Sequence, residues 1–102
     1  MNVLVDICVV PMGVGVSVSE YVVECQRIFE SADLSHEMHA YGTNVEGDWD
    51  KVMAAVKQCH EKMHEMGAPR VTSSMRVGTR VDREQSMQDK LQSVYDKLGP
   101  QF

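Results

Sequence analysis

No apolar run in this chain comes near the roughly 18 residues that a membrane-spanning helix needs. Positive charge is also scarce: 10 Lys and Arg stand against 15 Asp and Glu, for a formal net charge of −5. A surface that binds nucleic acid needs the opposite balance, whereas an acidic one leaves room for a cationic ligand. The three cysteines, Cys8, Cys25 and Cys59, are odd in number and lack metal-ligand spacing. They read as free thiols of a reducing cytosol, packed as small apolar groups. The opening "MNVLVDICVV" has no basic leader and carries Asp6 within its apolar stretch, so it is not expected to be a signal peptide. A cytoplasmic protein is expected. P-loop, dinucleotide fingerprint and Ser/His/Asp order are all missing. "MGVGVS" offers G-x-G without the later glycine or the parallel βαβ setting that would give it meaning.

What is present fits one domain spanning residues 1–102, 43% apolar and 25% charged. "VLVDICVVP" predicts a strand ended by Pro11. Ser17 and Glu20 form an S-x-x-E capping box before Val18, Val22, Cys25, Phe29 and Ala32, which recur at helical spacing. "HEMHAYGTNVEG" predicts two short strands around Tyr41 and Gly42. Asp48 caps a second helix with the stripe Trp49, Val52, Val56, Cys59, Met63 and Met66, closed by Gly67. "RVTSSMRVGTRV" alternates as a strand, and Asp82 and Gln85 are expected to open a third helix that ends at Gly99. The order β-α-β-β-α-β-α is that of an α+β ferredoxin-like βαββαβ sandwich with an extra C-terminal helix.

The first strand is apolar on both sides, as a strand covered on both faces is. Val3, Val5, Ile7 and Val9 are assigned to the face under the three helices, and Leu4, Cys8 and Val10 to the bare face. A bare apolar sheet face marks an interface, so a homo-oligomer is expected. Asp6 interrupts that face, and Arg76 and Arg80 fall on the matching side of the last strand, which is expected to be central beside the first. Two roles are open to them. They form an Asp–Arg bridge across an interface, or they floor a polar pocket in which Asp6 holds a donor and Arg76 an acceptor or anion. Thr43, Asn44 and Glu46 leave a turn and enter a helix. They serve either turn chemistry or a ligand. Met38, with Leu4, Cys8 and Val10, supplies apolar surface for a ring. His36 and His39 differ in facing, and either could line the pocket.

"HEKMH", residues 60–64, matches the H-E-x-x-H zinc motif. With a turn of roughly 100° per residue, His60 lies roughly 70° and His64 roughly 110° from the centre of the apolar stripe, but Glu61 lies roughly 170° away. A metalloprotease needs all three to face one cleft. The glutamate instead points to solvent, so a solvated helix shoulder is the expectation and no metal site is assigned.

Taken together, "VDICVVPMG", "YGTNVEGDWDKVM", "HEKMHEMG" and "RVTSSMRVGTRVD" resemble the small thiamine-binding protein family, ferredoxin-like proteins of the YkoF-related type, over essentially the whole chain. The resemblance implies a homotetramer built as a dimer of dimers. It also implies binding of thiamine, or its hydroxymethylpyrimidine part, as ligand with no separate cofactor and no reaction. The regions it points to are the "DICVVP" strand and the "GTNVEG" turn. With the facing argument these give Asp6, Cys8, Met38, Thr43, Asn44, Glu46 and Arg76 as candidate ligand-binding residues. The alternatives are an interaction protein whose polar sheet residues only pair subunits, and a metal-dependent hydrolase.

Overall fold

The computed structural model describes residues 1–15, 18–84 and 86–100. Seven elements follow one another: β1 (Asn2–Met12), α1 (Ser19–Ser31), β2 (Ser35–His39), β3 (Gly42–Asp48), α2 (Trp49–Glu65), β4 (Arg70–Thr79) and α3 (Met87–Leu98). The strands form one antiparallel sheet in the order β2-β3-β1-β4. This is the expected ferredoxin-like α+β fold with an additional C-terminal helix.

Alternation along β1 sets the core. Val3, Val5 and Ile7 are buried under α1 and α2, where they meet Val45 of β3, Cys25 and Phe29 of α1, and Val52, Cys59 and Met63 of α2. Phe29 fills the centre at 1% exposure, and truncating a side chain so placed costs about 3–5 kcal/mol. Cys25 and Cys59 meet between the two helices, both as free thiols. The Cys59 pKa is pushed far above that of an ordinary thiol by its hydrogen bond to Cys25 and then by burial.

Local chemistry sets the helix ends. Asp48 caps α2 as expected, its carboxylate accepting from the Asp50 and Lys51 N–H groups. Gly67, at φ 110°, follows that helix in a conformation that favours glycine. The Ser17 cap lies outside the described residues; α1 begins after Val18 with no side-chain cap.

Four expectations change. Pro11 does not end β1, which runs on to Met12. Beyond Ile7 the strand has only β4 beside it, and a strand with a free side tolerates a missing N–H. The third helix starts later than Asp82. Ser86 caps it in a reciprocal box with Asp89, whereas Asp82 accepts two hydrogen bonds from the Arg80 guanidinium at 2.7 and 3.0 Å, which lowers its pKa. Gln85, the other half of the expected cap, lies outside the described residues. The last strand is an edge, not a central strand, because β3 occupies the inner position beside β1. Finally, α3 does not join α1 and α2. Its first N–H donates to Glu46 Oε2 at 2.9 Å. Glu46 alternates with the buried Val45 and therefore stands on the opposite face of the sheet.

Candidate functional site on the open sheet face

The strand registers define what lies on the face turned away from α1 and α2. Glu37, Asn44, Asp6 and Arg76 stand side by side across β2, β3, β1 and β4. With neighbouring strands about 4.8 Å apart, this polar row spans about 14 Å. On one side of it lies the row Ser35, Glu46, Leu4 and Gly78. On the other lie His39, Gly42, Cys8 and Ser74; beyond them Val10 pairs with Thr72.

Asp6 keeps its carboxylate half exposed, with Oδ1 2.7 Å from His39 Nε2. The other ring nitrogen, Nδ1, accepts from the Tyr41 N–H at 3.2 Å. A backbone amide can only donate, so the ring proton sits on Nε2 and is given to Asp6. His39 thus reaches Asp6 over the intervening strand β3. Arg76 is directly opposite Asp6 in the sheet, yet the side chain hydrogen-bonded to Asp6 is His39. Among the described residues no ion pair joins Asp6 to Arg76 within the chain.

The structure therefore divides the expected site residues. Asp6, Cys8, Asn44, Glu46 and Arg76 share the open face. Thr43 and Met38 do not. Thr43 is buried beneath α1, where its Oγ1 accepts from Gln26 Nε2 at 2.9 Å. Met38 pairs with Thr43 and lines a depression with Val22, Val23, Gln26 and His36 on the helix side. Adjacent residues of a strand face opposite ways, so Thr43 and Asn44 cannot serve one site. Glu46 is on the right face, but one of its oxygens is committed to the start of α3. Glu37 was missed, and the sequence offers His39, beside His36, only as a residue that could line the pocket. Both take their places from the β2–β3 register, which pairs Glu37 with Asn44 and His39 with Gly42.

The H-E-x-x-H histidines are engaged separately. His60 Nε2 lies 2.9 Å from Ser73 Oγ, and His64 Nδ1 lies 2.8 Å from the Ala68 carbonyl. Among the described residues no group of three His, Cys, Asp or Glu is placed to hold a metal ion. His36 packs against Phe29, ring centroids 5.9 Å apart, on the buried side.

Fold and face together define a ferredoxin-like α+β domain whose open sheet carries a polar row with Leu4 and Cys8 on either side of it along β1. The chain belongs to the thiamine-binding protein family, whose pattern it matches over residues 5–95. It is 66% identical over 94 residues to the UPF0045 protein sll0230 of Synechocystis, covering 92% of this chain and 78% of that one. It is 44% identical to the UPF0045 protein ECM15 of Eremothecium gossypii, covering 97% and 95%. Among solved structures, the hypothetical protein MJ1052 of Methanocaldococcus jannaschii superposes with a TM-score of 0.84 at 34% identity, covering 91% of this chain and 95% of that one.

Proposed function

We propose that this protein binds thiamine, or its hydroxymethylpyrimidine part, on the open sheet face without transforming it. The observation that carries this is the Asp6–Asn44 cross-strand pair at the centre of the polar row, in a chain of the thiamine-binding family. An aminopyrimidine edge sets an amine donor beside a ring-nitrogen acceptor. The free oxygen of Asp6 suits the amine and the Asn44 amide suits the ring nitrogen. Leu4, Cys8 and Val10 offer apolar surface for the ring, and the net charge of −5 favours a thiazolium cation.

The face is open in a single chain. A second copy closing it, within a homotetramer built as a dimer of dimers, accords with the exposed Val10 and Met12 at its upper end, 43% and 41% exposed. The side chains favour holding over reacting. Both nitrogens of His39 are engaged, so His39 is not free to act as a base for Cys8. A purely interacting protein is the second reading. It draws support from Arg76, which has no ion pair among the described residues and so is available to a partner subunit.

Thermal unfolding with and without thiamine tests the proposal. Ligand at 100 times its Kd should stabilise the folded protein by about 2.7 kcal/mol. Asp6→Ala and Asn44→Ala should remove that shift and leave the elution volume of the assembly unchanged. Indifference of the wild type to saturating thiamine and hydroxymethylpyrimidine would end this reading. Dissociation on Arg76→Ala without loss of a ligand effect would favour the second.

A further inference from the structure

The hydrogen bond from His39 to Asp6 crosses a whole strand. β3 runs between β2 and β1, and its residue paired with His39 is Gly42. Glycine is demanded there by the backbone, since a Cβ would collide with the Ile7 carbonyl oxygen. At the far end the ring is held by the Tyr41 N–H on Nδ1, so its orientation is fixed from the turn that joins β2 to β3. The consequence falls on Asp6. Its Oδ1 is occupied by His39, and its carboxylate plane is set by a partner that is itself anchored.

We infer that His39 is a positioning residue for the binding face: it fixes the rotation of the Asp6 carboxylate so that Oδ2 is the oxygen presented beside Asn44. This rests on the ligand-binding proposal above for its consequence, though not for its geometry. An unanchored carboxylate on an exposed strand samples several rotamers. Holding one of them in the free protein removes an ordering cost that the ligand would otherwise bear. His39 thereby acts on affinity without touching the ligand.

Calorimetric titration of thiamine into wild type, His39→Ala, His39→Gln, Asp6→Asn and the double variant His39→Ala/Asp6→Asn tests this, with NMR of the His39 ring nitrogens alongside. His39→Ala should weaken binding roughly 10- to 100-fold, the scale of a lost hydrogen bond to a charged group. His39→Gln, whose amide can still donate, should recover part of the loss. In the Asp6→Asn background His39→Ala should cost little more. NMR should show the proton on Nε2, with a shift that moves on Asp6→Asn. If the wild type binds and His39→Ala binds equally well, or if the two substitutions are additive, the inference falls and the ligand reading stands. A proton on Nδ1 would overturn the geometry itself. If the wild type binds neither thiamine nor hydroxymethylpyrimidine, the ligand reading falls and takes the affinity role of His39 with it.

Discussion

Gly42 shows how much one missing side chain can determine. It lets β3 approach the Ile7 carbonyl too closely for any Cβ. Gly42→Ala should therefore lower stability by about 2 kcal/mol or more, because the collision is with backbone that cannot swing aside. Urea unfolding measures it; a loss under 0.5 kcal/mol would mean that the strands part easily there. Asp6 was legible in the sequence because an isolated carboxylate in an apolar alternating strand declares its face by parity alone. Thr43 and Met38 were not, since their parity depends on where the β2–β3 hairpin turns. His39 was harder still. Its partner lies two strands away, and only the registers of both β3 pairings bring the two onto one face.

Among the elements, the strands and the first two helices follow from periodicity, and the start of α2 from its Asp48 cap. Pro11 misleads because its cost depends on whether a neighbour waits for its N–H, which sequence does not state. The position of β4 misleads for a similar reason: pairing with β1 is compatible with either an inner or an edge place. Helix α3 is the element least determined by local signals. Its capping box is clear, but where it docks depends on Glu46, 41 residues away from Met87. Glu46→Ala should loosen that attachment. Faster amide hydrogen exchange at Met87, with the N–H groups of α2 unchanged, is the expected result; equal protection in both proteins would show that the Ser86 cap alone holds the helix start.

At the scale of the whole molecule the chain is extended. Its radius of gyration is 15.3 Å and its longest dimension 46 Å, against about 13 Å for the radius of a compact domain of this length. Helix α3 accounts for the difference in character: Met87 is buried, but Leu91, Val94, Tyr95 and Leu98 are 42–55% exposed. These four recur at i, i+3, i+4 and i+7, the spacing of a helix face that expects cover. Removing residues 86–102 should leave the βαββαβ unit folded, because its core cluster draws nothing from α3. Circular dichroism should show a cooperative melt. Loss of the melt would place α3 within the folding unit.

The attachment of α3 through Glu46 has one more implication. The carboxylate that steadies the helix start stands in the row next to Asp6 and Asn44. Whatever occupies the centre of the sheet thus lies one side chain from the base of an apolar lever. On the ligand reading proposed above, a guest that turned Glu46 would also shift the start of α3.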